Sequence, residues 1–196
     1  WNFAATAYLN RWKVKIYYEH YFDDHSQMFF QYGRWKDGHI GLEITFPKNR
    51  FIDTFVYEGL GTKDQTGPML YDSFWGEFEE QISAKDNYYN HYLYQGWQHW
   101  GMGIGNPLLP GPIYNKNGQI TFISNRVLAH HIGFCGSPCQ SLSYRMLLSY
   151  SRHWGTYDNP LNEIKKQFNS LFEVTYAPQQ LKGWSFTVSG AMDRGS

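Results

Sequence analysis

The chain has 196 residues, enough for one or two domains, and its 17 Lys plus Arg balance 17 Asp plus Glu to a formal net charge of zero. That balance excludes the basic footprint of a nucleic-acid binder and the polybasic segment of a membrane-surface protein. Mean hydropathy is −0.57, and no apolar run approaches the roughly 18 residues of a membrane-crossing helix. A β-barrel is not excluded by such values, because it places apolar residues only at alternate positions. Aromatic residues are abundant, at 16 Tyr, 14 Phe and 8 Trp, and Gly reaches 19.

Along the chain, period-two alternation predicts eight strands. The first is 1–9, with Trp1, Phe3, Ala5, Ala7 and Leu9 on one face. After Asn10 and Arg11 a second runs over 12–22, where Trp12, Val14, Ile16 and Tyr18 alternate with Lys13, Lys15, Tyr17 and Glu19. A polar loop over 23–37 leads to 39–46, with Ile40, Leu42, Ile44 and Phe46 opposing Glu43 and Thr45. Pro47, Lys48 and Asn49 form a turn by composition, and a less regular strand follows over 50–58. The rhythm then breaks over 59–117, where Phe74, Phe78 and Ile82 suggest a short helix within 72–85.

The pattern returns most strongly over 118–157, a hairpin of two long arms joined by CGSPCQ. In its second arm Leu142, Tyr144, Met146, Leu148 and Tyr150 alternate with Ser143, Arg145, Leu147, Ser149 and Ser151. An ordinary strand holds about five or six residues; this one holds its pattern for roughly nine to eleven, the span of a tilted transmembrane strand. The last two strands are 168–177 and 184–192.

Connections at 10–11, 47–49, 135–140 and 178–183 are short and those at 23–37, 59–117 and 156–166 are long. Their alternation predicts an all-β fold, an up-and-down antiparallel transmembrane barrel with turns at one end and long loops at the other. Tyr8 and Trp12, Phe46 and Phe51, Phe134 and Tyr144, and Tyr176 and Trp184 flank the four short turns, as an interfacial aromatic girdle would. Lys13, Lys15, Glu19, Glu43, Arg145, His153 and Glu173 share the polar parity and are expected to line a lumen; Arg152 breaks it near the rim. A charge on the lipid side at mid-membrane costs about 2–4 kcal/mol for Lys or Arg. The competing reading is a secreted β-sandwich. Because Trp1 opens in mid-pattern without Met or signal peptide, residues 1–196 read as one partial barrel domain carrying the insert 59–117, with at least one closing strand beyond Ser196.

Candidate sites are few. Cys135 and Cys139 flank a predicted hairpin tip, so a cross-turn disulfide and two reduced thiols both remain open. No metal site is expected: His130 and His131 are adjacent on a strand and face opposite sides, and Asp23, Asp24 and His25 look like an ordinary polar loop tip. Glu77, Glu79 and Glu80 resemble a solvated helix face more than glycosidase carboxylates, and no nucleophile elbow or phosphate loop is present. Neither catalysis nor a cofactor is expected. Within the insert, Tyr88, Tyr89, Tyr92, Tyr94, Trp97 and Trp100 interleave with Asn87, Asn90, Gln95 and Gln98. Flat apolar rings beside amides suit sugar rings, and they equally suit a plug packed into the barrel mouth.

Five stretches, HYFDDHSQMFF (20–30), DNYYNHYLYQGW (86–97), GNPLLP (105–110), NRVLAHHIGF (125–134) and YRMLLSYSRHWGTY (144–157), together resemble the Wzi-type capsule assembly family in its Bacteroidetes-like form. The resemblance runs in order over nearly the whole chain and covers what looks like the C-terminal part of such a protein. It implies a non-enzymatic barrel of the bacterial outer membrane that assembles or attaches capsular polysaccharide at the cell surface. Partners implied are outer-membrane lipids, capsular or other surface polysaccharide, and other outer-membrane proteins. The CGSPC turn departs from the family pattern. A porin-like channel or an accessory subunit of a nutrient-uptake complex is the alternative expectation.

Overall fold

A computed structural model describes residues 1–21, 37–49, 51–64, 98–114, 118, 120–156 and 159–195. The strands are β1 (Asn2–Leu9), β2 (Trp12–Glu19), β3 (Gly38–Thr45), β4 (Thr54–Gly61), the two-residue pieces β5 (Gln98–His99), β6 (Met102–Gly103), β7 (Ile113–Tyr114) and β8 (Ile120–Thr121), then β9 (Val127–Cys139), β10 (Leu142–Gly155), β11 (Pro160–Tyr176) and β12 (Phe186–Gly195). Eight of them form one antiparallel sheet in the order β1-β2-β3-β4-β9-β10-β11-β12, so every sheet neighbour is also the next sheet strand in the chain. The sheet is open among the described residues, with β1 and β12 at its edges. The short pieces pair only with each other, as β5-β6 and β7-β8.

The turns follow local chemistry. Asn10 adopts φ 60° between β1 and β2, a left-handed conformation Asn tolerates because its short polar side chain bonds locally. Between β3 and β4, Asn49 accepts from the amides of Phe51 (2.8 Å) and Ile52 (2.9 Å) and donates to the carbonyls of Pro47 and Ile52. That single amide satisfies four backbone groups of the turn, the Asx device. Beyond β11, the Ala177 amide donates to Ser141 O at 2.8 Å, tying two neighbouring turns together.

Several boundaries differ from the sequence reading: the strand expected over 50–58 is Thr54–Gly61, that over 12–22 ends at Glu19 and that over 184–192 is Phe186–Gly195, and three further differences shape the site. First, the expected long loop over 156–166 is a four-residue connection, because β11 begins at Pro160 and pairs with β10 as far as Gly155. Asn162, Glu163, Lys165 and Lys166 carry no apolar alternation; Lys165 and Lys166 are strand through pairing with His153 and Arg152 of β10, which no side-chain pattern records. Strict alternation of short and long connections therefore fails at this junction. Second, the first hairpin arm starts at Val127, and 122–126 is irregular. Ser124 and Asn125 are buried there, bonding the Gly155 carbonyl through the Ser124 hydroxyl and the Asn125 amide. Third, β9 continues through Cys139, so the turn is Gln140 and Ser141, and a register shift lies between Leu142 and Tyr144. One extra residue on β9 absorbs that shift as a bulge. Cys135 and Cys139 consequently lie on the same strand rather than across a turn, and both are free thiols. The expected helix over 72–85 and Glu77, Glu79 and Glu80 lie outside the described residues.

The register assigns every strand residue to a face, since directly opposed residues share one. Ala7, Val14, Ile44, Phe55, Phe134, Met146, Phe172 and Gly190 stand opposite one another right across the sheet. On the other face Tyr17, Gly41, Glu58, His131, Ser149, Asn169 and Asp193 do the same. Burial is inverted relative to a water-soluble domain. Ile16, Ile40, Phe172, Val188 and Met192 of the apolar face are exposed, whereas His20, Asp37, His39, Ser151 and His153 are buried. The buried apolar side chains among the described residues are Leu60, Val127 and Ala129, all at polar-face positions.

Candidate functional site

The polar face carries a connected set of side chains, and the pleat explains why they meet. Gly41 sits between Tyr17 and Glu58 in register. A Cβ there would lie 2.0 Å from the Tyr17 ring, so only Gly lets that ring cross the strand. The ring reaches over and its hydroxyl donates to Glu58 Oε1. His39 stands between two carboxylates, its Nδ1 3.4 Å from Glu19 Oε2 and its Nε2 3.5 Å from Glu58 Oε1, and packs edge-on against Tyr17 at 5.7 Å. Only 7% of His39 is exposed. Glu19, Tyr17, His39 and Glu58 thus form one contiguous polar group spanning β2, β3 and β4, hydrogen-bonded between Tyr17 and Glu58 and between His39 and Glu19.

A second group continues it on β9, β10 and β11. His131 Nδ1 lies 2.7 Å from Ser149 Oγ, and Ser151 Oγ 2.8 Å from His153 Nε2. His153 is 8% exposed, and its Nδ1 has no hydrogen-bond partner among the described residues. On the edge side Asn169 donates to Asp193 Oδ1 at 2.6 Å.

Over these groups lies the segment 106–111. Asn106 starts it: its side chain accepts from the Leu108 amide at 2.9 Å and its carbonyl from the Leu109 amide at 3.1 Å. Pro107 and Pro110 restrict the backbone on both sides. Leu108 and Leu109 then pack against Leu60, Val127 and Ala129, the buried apolar cluster of this face. Between segment and sheet is a cavity of about 640 Å³, lined among others by His39, Glu58, His131, Ser149, His153 and Asn169. That is within the range of roughly 300–1,000 Å³ typical of ligand pockets. Its walls offer neutral donors and acceptors, one carboxylate and an apolar lid, a combination suited to hydrogen-bonding a polyhydroxylated ligand.

All seven residues expected to line a lumen share this face. Lys13 lies 3.6 Å from Glu43, Arg145 is 3.2 Å from Glu173, and the Lys15 ammonium is 5.2 Å from the Tyr17 ring centroid. Glu19 and His153 belong to the groups above. Arg145 and Glu173, with Asp53 and Cys135, also line a smaller cavity of about 280 Å³ at the turn end. Of the expected sugar-stacking residues only Trp100 is described; it is 84% exposed, with its ring 6.2 Å from His99. Tyr88, Tyr89, Asn90, Tyr92, Tyr94, Gln95 and Trp97 lie outside the described residues. Among the described residues no group of three His, Cys, Asp or Glu is placed to hold a metal ion.

Tyr17, His39, Glu58, His131 and Asn106 escaped the sequence reading as site residues. Parity alone puts His39, Glu58 and His131 beside the expected lumen charges, and that signal was present. What no pattern announced is that 106–111 folds onto them. Comparison of the chain with family models, curated proteins and solved structures finds no match in any of the three. The fold itself defines an all-β chain built on an eight-stranded antiparallel meander.

Proposed function

We propose that this chain is part of a bacterial outer-membrane β-barrel that takes part in assembling or attaching capsular polysaccharide, without being an enzyme. The observation that carries the membrane reading is the inverted burial: a sheet-wide apolar face left exposed, and charges paired on the opposite face. Water penalises a contiguous apolar surface of this extent, whereas an acyl phase does not. The meander order, with aromatics such as Trp12, Phe46, Phe134 and Tyr144 near the turns, supports the same reading. The glycan reading draws on the polar cavity beneath 106–111 and on the resemblance of five ordered stretches to a capsule assembly family.

The test uses the full-length protein. Wild-type chain is expected to pellet with membranes and to bind purified capsular polysaccharide. Ser149→Trp, which fills the cavity, is expected to weaken binding about tenfold, roughly 1.4 kcal/mol, with Trp100→Ala weakening it less. Unchanged binding in Ser149→Trp removes the cavity from the reading. A porin-like channel, the alternative for a charge-lined face, is opposed by the segment 106–111 lying over that face; a steady ion current across planar bilayers would favour the channel.

A further inference from the structure

The outward, apolar face changes character at one rim. There, on the side where 62–126 leaves the sheet, cations gather around a single indole. The Lys63 ammonium lies 5.0 Å from the Trp154 ring centroid and the Arg152 guanidinium carbon 5.4 Å from it. Both are inside the roughly 6 Å reach of a cation–π contact. Arg126 joins these pieces: its Nε donates to the Lys63 carbonyl at 3.1 Å, and its carbonyl accepts from the Trp154 amide at 3.0 Å. Lys166 is the register partner of Arg152 across β10 and β11. Four cationic residues from four separate stretches of chain therefore meet in one corner.

Their height on the sheet is informative. Arg152 shares the face of Tyr144, Met146, Leu148 and Tyr150, and is eight residues beyond Tyr144 on β10. At about 3.4 Å per residue that separation is roughly 27 Å along the strand. At a barrel tilt of about 35–45° it becomes roughly 20 Å along the membrane normal, close to the apolar band of about 25 Å in such barrels. Tyr144 then marks one boundary of the acyl layer, and Arg152 with Trp154 marks the other. Arg152 and Lys166, directly opposed in register on this face at this rim, are both cations. Two like charges held against one ring repel each other, and an anion bridging them removes that penalty.

We propose that Lys63, Arg152 and Trp154 form a binding site for the phosphate group of a membrane-lipid headgroup. The two cations donate charge-assisted hydrogen bonds to phosphate oxygens while the indole packs at the junction of acyl and polar layers. This rests on the membrane reading above.

The test titrates full-length protein in detergent micelles with diphosphoryl lipid A, with the same lipid after dephosphorylation, and with inorganic pyrophosphate, counting bound molecules by native mass spectrometry. Lys63→Gln/Arg152→Gln is expected to lose about tenfold or more in lipid affinity, the worth of one charge-assisted bond. Lys48→Gln/Lys182→Gln, at the turn end, is expected to bind like wild type. Arg152→Lys, which keeps the charge, is expected to retain most binding and stands in should the double variant not fold. Wild-type affinity in the double variant overturns the proposal, as does equal binding of the dephosphorylated lipid. Pyrophosphate binding as tightly as the lipid makes this a free-phosphate site and overturns the lipid assignment. Wild-type chain left in the supernatant after lysis sinks the membrane reading itself, whereas membrane-bound chain with undiminished lipid binding in the variant sinks only this inference.

Discussion

The two faces of the sheet solve opposite problems with the same backbone. On the polar face, charges come in pairs: Lys13 with Glu43, Arg145 with Glu173, His39 between Glu19 and Glu58. The buried apolar residues of that face, Leu60, Val127 and Ala129, are covered by a segment of the chain itself. On the outward face, large apolar residues from Phe3 to Met192 remain uncovered in every sheet strand but β4, and rings meet rings, as Tyr144 does Phe134 at 6.3 Å and Phe172 at 6.5 Å. The comparison teaches that this sheet keeps its specificity on the side that a soluble sheet gives to water. Polar groups interact there by direction and distance, and the apolar side needs only to be continuous.

The comparison breaks most visibly if a charge is placed on each face at the same height. Leu148→Arg on the outward face is expected to cost about 2–4 kcal/mol of folding stability in a bilayer. Leu171→Arg on the polar face is expected to stay within about 1 kcal/mol of wild type, as an ordinary surface-type change does. Urea midpoints for folding into phosphocholine vesicles, read by heat-modified gel mobility, check both. Equal tolerance at the two positions means that both faces meet water.

A smaller effect sharpens the polar side. Glu58→Ala removes the acceptor of Tyr17 and a carboxylate neighbour of the buried His39, so about 1–3 kcal/mol is expected from the groups left without partners. Tyr57→Phe, which loses only an exposed bond to His130 on the outward face, is the comparison, and the same urea titration ranks the two. An equal cost for both would mean the Tyr17 group contributes no more than a surface contact. Smallest is the Arg145–Glu173 pair, half-exposed on its Arg side. A double-mutant cycle is expected to give about 0.2–1 kcal/mol, declining as salt rises and shortens the Debye length. A coupling unaffected by salt places the pair in a drier interior than the open sheet suggests.

Alternation made much of this architecture legible. Side-chain period in a strand is two, so knowing that Lys15 and Glu43 are polar positions already commits Ile16 and Leu42 to the other face. All eight sheet strands and the common face of Lys13, Lys15, Glu19, Glu43, Arg145, His153 and Glu173 follow from that local rule. Where the pattern thins, the reading loses its footing: at 160–167, whose polar residues extend β11, and at 122–126, whose buried Ser124 and Asn125 are irregular rather than strand.

What only the tertiary structure decided is which distant residues meet. The docking of Leu108 and Leu109 on Leu60 and Val127 and the approach of Lys63 to Trp154 join stretches tens of residues apart, and the bulge that carries β9 through Cys139 is set by pairing with β10. Parity is a property of a strand by itself and survives without partners. Contact depends on register, on where a bulge falls and on how a covering segment turns back, and those are settled by the sum of long-range pairings rather than by any local pattern.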